Sequence, residues 1–102
     1  MAPTKVFDAE EARKIGMCLG IDWKTCGFDV TEFRKGLTVE LEHGSHDPYT
    51  NVTNDDPILT GKIAWSHLKE FPDYYKRLEI MEAEAVKYHR IMNQPTKRGI
   101  WR

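Results

Sequence analysis

One helix-start pattern occurs twice in the first third of the chain, and it limits the possible fold more than any other feature of the sequence. In residues 7–12 and again in residues 28–33, an Asp is followed three residues later by a Glu, and apolar residues flank the pair. An Asp at a helix N-cap accepts a backbone hydrogen bond, the Glu side chain returns one, and the flanking apolar residues pack as a hydrophobic staple. The sequence therefore predicts that Asp8 and Asp29 each begin an α-helix.

Glycine and proline residues place the other helix ends. Gly20 and Gly44 follow the first two helical stretches, where glycine commonly ends a helix. Asp56 and Pro57 suit the N-cap and first position of a third helix, and Pro72 disfavours helical geometry at the residue before it. Because no long alternating β pattern is present, we expect an all-α fold, a compact bundle of about four helices. The predicted helices cover residues 8–19, 29–43, 57–71 and 73–92.

A long polar loop is predicted between helices two and three. Residues 45–56 are rich in Asn, Asp and Thr and include a Pro, a composition typical of an ordered loop. The length of 102 residues suits one domain. We place this domain at residues 1–92 and assign residues 93–102 to a basic and aromatic C-terminal tail.

Charge and hydropathy exclude several classes of partner. The formal net charge is −1, which provides no bulk attraction to nucleic acid or to an anionic membrane surface. No apolar run approaches the roughly 20 residues that cross a bilayer, and the N-terminal residues lead into no apolar signal stretch. We therefore expect a cytoplasmic protein that binds neither nucleic acid nor membrane.

The fourth predicted helix has the clearest hydrophobic period. Alternating steps of four and three residues place a heptad-like stripe at Tyr74, Leu78, Met81, Ala85, Tyr88 and Met92. Charged residues lie on both sides of the stripe, and a helix this amphipathic needs a partner surface. Trp101 adds an aromatic residue near the end of the tail. We expect a protein partner or self-association through helix four and the Trp101 tail.

Apolar arcs on helices two to four indicate the core. A helical wheel with about 100° per residue separates these arcs from the polar faces. Eight side chains are predicted to be largely buried: Phe33, Leu37, Leu41, Ile63, Leu68, Phe71, Leu78 and Met81.

Two carboxylate–histidine pairs form the candidate site. Glu40 and His43 end helix two, His67 and Glu70 end helix three, and the spacing of three residues puts each pair on one helix face. Gly36 borders the apolar stripe in line with Glu40 and allows another helix to approach closely, while His67 falls inside the apolar arc of helix three. A buried polar group without a partner costs about 1–3 kcal/mol. We therefore expect the four side chains to converge where the two helices meet.

The residue types in this cluster leave three interpretations open. The first is a hydrogen-bonded, charge-neutralising cluster that fixes helix register. The second is a site for Fe, Mn or Zn, because Glu and Glu-x-x-His ligands on facing helices build such sites, although only half of the usual ligand set is present. Its candidate ligands are Glu40, His43, His67 and Glu70, and His46 could add one from the loop. The third is metal-free acid–base chemistry with His67 as the titrating group.

Three stretches of the sequence form an extended motif. They read ELEHG at residues 40–44, NVTNDD at residues 51–56 and GKIAWSHLKEFPDYY at residues 61–75, followed by RL and ME within residues 77–82. The motif resembles a small domain family of unknown function found in bacteria and phages, over about residues 7–82. The resemblance implies no established activity. It marks Glu40, Glu42, His43, His67, Glu70, Tyr74, Tyr75 and Glu82.

Two functions are expected from these observations. The first is a non-enzymatic helical interaction or accessory module, related to phage or other assembly, because similar segments in phages occur near structural and head-assembly proteins. The alternative is a metalloprotein, catalytic or not, that uses the four candidate ligands. The lack of a complete catalytic set favours the first function and leaves catalysis undecided.

Overall fold

Helices make up all of the regular structure in the described part of the chain. The structure is a computed structural model that describes residues 6–92. It contains α1 (Ala9–Leu19), α2 (Val30–Glu40), α3 (Pro57–Glu70) and α4 (Tyr74–Ile91), a 3₁₀ turn at Leu41–His43, and no strand within these residues. The predicted all-α bundle is confirmed, with the loop 44–56 between α2 and α3. The predicted tail, with Trp101, lies outside the described residues. Between residues 6 and 92, no helix is long and apolar enough to cross a membrane.

Side-chain caps start the first three helices, as the sequence predicts. Asp8 accepts a hydrogen bond from the Glu11 amide at 2.8 Å, and the Glu11 carboxylate accepts one from the Asp8 amide at 3.1 Å, which completes the capping box. Asp29 accepts from the Glu32 amide at 3.0 Å. Asp56 accepts from two amides in the first turn of α3. These bonds satisfy amides that a helix start leaves without a helical partner.

The core forms where α1, α2 and α3 pack together and the first turn of α4 closes them. Its buried side chains are Phe7, Ala12, Ile21, Phe28, Phe33, Leu37, Ala64, Leu68 and Tyr75. Gly36 lies at the contact of α2 with the other helices, because an added Cβ would lie 2.6 Å from the Tyr75 ring and 3.0 Å from the Ala64 Cβ. The close approach predicted at Gly36 is therefore confirmed.

Two of the predicted core residues are exposed, so these two predictions are wrong. Phe71 is 47% exposed and Met81 is 58% exposed. Phe71 follows α3 in an extended conformation, which Pro72 favours, and the Arg77 guanidinium lies 4.3 Å from its ring centroid. Met81 lies beyond the part of α4 that contacts the other helices. Burial is confirmed for Phe33, Leu37 and Leu68 and is partial for Leu41, Ile63 and Leu78.

The polar loop 44–56 folds back onto the end of the 3₁₀ turn. The His43 carbonyl accepts hydrogen bonds from the Val52 and Thr53 amides at 2.7 and 3.1 Å. The Asp55 carboxylate accepts from the hydroxyl and the amide of Ser45, and these bonds hold the pKa of the Asp55 carboxyl below its usual range. The loop is thus an ordered segment that fixes the backbone of His43.

Candidate functional site: a buried carboxylate beside two histidines

The centre of the candidate site is a buried carboxylate. Glu40 is the last residue of α2 and is 3% exposed. The Tyr75 hydroxyl, in the first turn of α4, donates a hydrogen bond of 2.6 Å to Oε2 of Glu40. Tyr75 is itself only 2% exposed. A hydrogen bond to an ionised acceptor is shorter and stronger than a neutral one, so this bond joins α2 firmly to α4.

Two imidazoles lie against the same carboxylate. Nε2 of His43 is 3.3 Å from Oε1 of Glu40, and Nε2 of His67 is 3.7 Å from Oε2. Nδ1 of His67 is also 3.6 Å from Oε1 of Glu70. The prediction that these four side chains converge where α2 meets α3 is confirmed, and Glu70 joins the cluster through His67. Both imidazoles are partly open to solvent, whereas Glu40 is not.

Tyr74, the residue before Tyr75 in α4, orients the imidazole of His67. The ring of Tyr74 stacks on His67 with a centroid separation of 4.3 Å and an interplanar angle of 14°. The ring of Tyr75 meets the same imidazole edge to face, at 6.3 Å and 86°. Consecutive residues of α4 thus restrict His67, one through a stacked ring and the other through an edge contact.

Burial and nearby carboxylates keep both tyrosines protonated. Burial raises the pKa of Tyr75 far above its ordinary value of 10.0, and the hydrogen bond to Glu40 and the charge of Glu40 raise it further. Burial also raises the pKa of Tyr74, and the charges of Glu40 and Glu70 act in the same direction. Tyr75 therefore remains a hydrogen-bond donor to Glu40 throughout the neutral pH range.

The Tyr75 hydroxyl is the part of this site that residue spacing did not assign. The Glu and His pairs were found from their separation along α2 and α3, but no such rule links either helix to α4. A signal did exist in Gly36, one turn before Glu40, since a helix position without a side chain can receive a ring from a neighbouring helix. The motif also marked Tyr75 as a residue of interest without giving it a role.

The geometry agrees best with the first interpretation, a hydrogen-bonded cluster. Within residues 6–92, no group of three or more His, Cys, Asp or Glu side chains is placed to hold a metal ion. Oε2 of Glu40 accepts a hydrogen bond from the Tyr75 hydroxyl, and Nε2 of His46 lies 2.8 Å from the carbonyl oxygen of Glu42. His46 therefore bonds to the backbone beside the cluster. The assignment of Glu40, His43, His67 and Glu70 as metal ligands stays a prediction.

A surface groove lies on another side of the α2–α4 contact. It has a volume of about 330 Å³, and its lining includes Arg34, Thr38 and Tyr75. His67, the titrating group of the acid–base interpretation, is not among its lining residues. This groove therefore does not bring a bound molecule to the imidazole.

Fold and site together define a small all-α domain in which a buried Glu–Tyr pair lies against two partly exposed histidines. A family model described as "Protein of unknown function (DUF5661)" matches residues 12–84. The chain belongs to this family, and the match contains every residue of the cluster. Searches of curated proteins and of solved structures return no match.

Proposed function

We propose that the protein is a non-enzymatic helical module that binds another protein chain through the far part of α4. The binding surface, called the distal stripe below, consists of Met81, Ala85, Tyr88 and Met92. An accessory role in a larger assembly, of the kind that the family resemblance implies for phage proteins, fits a module of this type.

The exposure of the distal stripe is the observation that carries this proposal. The core includes the two first-turn tyrosines of α4 and Leu78, and none of the described residues beyond Leu78 is buried. Met81, Tyr88 and Met92 are 58%, 57% and 49% exposed, although they continue the heptad steps of the packed turns. Apolar side chains at heptad positions are those that a helix normally buries against a partner.

The length of the part of α4 that contains no buried residue also supports the proposal. Residues 79–91 extend for about 20 Å as a helix. The described chain measures 46 Å along its longest axis and 27 and 19 Å along the others. Helices shorter than about 12–15 residues are marginal in water unless an amphipathic face packs on something. Contact with a second chain would therefore stabilise this segment as well as cover its apolar side chains.

Site-specific photo-crosslinking in the cells that produce the protein tests this proposal. A photo-reactive amino acid at Met81 or Tyr88 should form a covalent adduct with another protein chain on illumination. Ala83 and Arg90 are exposed on the opposite face of the same helix, so the photo-reactive residue at these positions should give no adduct. Adducts from neither face, or equally from both, would contradict the proposal.

A further inference from the structure

We infer that the groove beside the α2–α4 contact binds a small zwitterion with an apolar side group, namely a free apolar amino acid. The groove has a volume of about 330 Å³ and is lined by residues of α2, by residues of the first two turns of α4 and by Val6, which precedes α1. No residue of the distal stripe lines it. The inference therefore does not rest on the proposed function.

Two unpaired side chains of opposite charge lie in the lining of this groove. Arg34 belongs to α2 and Glu79 belongs to α4. Among residues 6–92, neither side chain has an ion-pair or hydrogen-bond partner, so the two charged groups do not contact each other. The remaining charged residue of the lining, Lys35, already lies 3.9 Å from Oε2 of Glu32. A molecule that carries both a carboxylate and an ammonium group can therefore pair with Arg34 and Glu79 at once.

The chemistry of these two side chains assigns the two ends of the ligand. The Arg34 guanidinium presents a planar fork of N–H donors, which matches both oxygens of a carboxylate. The ionised Glu79 carboxylate only accepts hydrogen bonds, and an ammonium group offers three donors. A neutral molecule would leave both side chains unpaired, and a simple anion or cation would leave one of them unpaired. Charge complementarity therefore favours a zwitterion over these alternatives.

The apolar part of the lining favours an apolar side group on the ligand. It consists of Val6, Val39 and the ring of Tyr75. Val6 is 69% exposed, so a ligand that covers it would remove apolar surface from water. Small-molecule sites have volumes of roughly 300–1,000 Å³ and combine a mainly apolar lining with a few polar groups that fix orientation. The groove is at the lower end of this range, which suits a single amino acid better than a peptide.

An NMR titration of the isotope-labelled full chain with L-leucine tests this inference. The backbone amides of residues 34–39 and 75–79 should shift, with a dissociation constant of about 1 mM for a ligand of this size. Three analogues each lack one feature of leucine: isocaproate lacks the ammonium group, isoamylamine lacks the carboxylate, and glycine lacks the apolar side group. Each analogue should bind more weakly than leucine, by about fivefold where a charged group is missing.

Variants of the two charged residues identify the groove as the binding site. Arg34→Gln and Glu79→Gln should each raise the dissociation constant for leucine by about fivefold, because each removes one charge pair. Arg13→Gln and Glu84→Gln are the matched controls, because they remove the same charges from exposed positions on α1 and α4 outside the groove. The controls should leave the dissociation constant unchanged.

Several results of these titrations would overturn the inference. One is that leucine shifts no amide of the groove, and another is that isocaproate or isoamylamine binds as tightly as leucine. Equal effects of the groove variants and the control variants would also contradict it. Leucyl-glycine keeps both charged ends and adds a peptide bond, so tighter binding of this dipeptide would exclude the free amino acid as the ligand. The photo-crosslinking result at the distal stripe is independent of all these outcomes.

Discussion

Removing the Tyr75 hydroxyl should destabilise the fold without disturbing its packing. Tyr75→Phe keeps the ring that lies over Gly36 and deletes only the donor that reaches Oε2 of Glu40 at 2.6 Å. Glu40 would then keep its contacts with His43 and His67, at 3.3 and 3.7 Å, but would lose its shortest hydrogen bond while remaining buried.

The expected loss follows from the charge and burial of the acceptor. A hydrogen bond to a charged group contributes about 1.5–3 kcal/mol. Because the two imidazoles offset part of the loss, we expect Tyr75→Phe to lower the free energy of unfolding by about 2 kcal/mol. For a domain of this size, each kcal/mol lowers Tm by about 4–8 °C, so Tm should fall by roughly 8–16 °C.

Urea unfolding followed by far-UV circular dichroism measures this loss directly. Tyr74→Phe is the matched control, because the stacked ring on His67 is kept and no hydrogen bond of the Tyr74 hydroxyl occurs within residues 6–92. This control should change the free energy of unfolding by less than about 0.5 kcal/mol. If Tyr75→Phe were equally mild, the Tyr75–Glu40 hydrogen bond would not contribute measurably to holding α4 on the other helices.

Four further predictions concern pH, the core, metal content and the tail. Because the pKa of Tyr75 is raised from 10.0 in the folded chain, its contribution to stability should be complete below about pH 10 and lost as the pH rises above it. In urea titrations, the stability difference between wild type and Tyr75→Phe should therefore narrow above that pH, and a difference that widens would be contrary evidence. Leu68→Ala should cost about 2–5 kcal/mol in the same assay, since the side chain is 2% exposed, and a loss below about 0.5 kcal/mol would show that α3 is packed differently. Elemental analysis of protein purified without an affinity tag should find Fe, Mn and Zn below stoichiometric amounts, because Tyr75 already engages Glu40; stoichiometric metal that disappears in His67→Ala would support the metal site instead. Removing residues 95–102 should weaken association in sedimentation measurements and barely change Tm, and unchanged association would argue against a binding role for the tail.

The helix ends could be predicted because their signals are local. Asp8, Asp29 and Asp56 bond to amides no more than three residues away. Gly20 adopts a left-handed φ of 93°, which few other residues tolerate. Such signals need no knowledge of the tertiary fold, and the predicted start of each of these helices lies within one residue of the observed start.

The candidate site could be predicted only in part, because its members come from distant parts of the chain. Each Glu/His pair is separated by three residues, and an apolar arc surrounds His67. These two signals were enough to predict that the pairs meet where α2 and α3 pack. Tyr75 lies 35 residues from Glu40, and no periodicity connects them. Its hydroxyl reaches the carboxylate because Gly36 allows the Tyr75 ring to come close. This contact depends on how three helices pack together, so the sequence of a single helix does not reveal it.

The wrong prediction that Met81 is buried arose because a hydrophobic pattern does not identify the partner of a helix. The heptad steps correctly placed Met81 on the same stripe as Leu78. A hydrophobic period identifies the face of a helix that avoids water, but it does not say whether the same chain or another one covers that face. Leu78 packs on the core, whereas Met81, one turn farther along α4, is exposed.

The position of Tyr75 has a geometric consequence for the far end of α4. Its ring and its hydroxyl contact α2 at two separate points, Gly36 and Glu40, and two points restrain the tilt of a helix more than one point does. Met92 lies about 25 Å farther along the axis. A change in tilt of about 10° at Tyr75 would therefore displace Met92 by about 4 Å, close to half the usual spacing of packed helices. Substitutions around the buried carboxylate should thus change the position of the distal stripe, although they do not contact it.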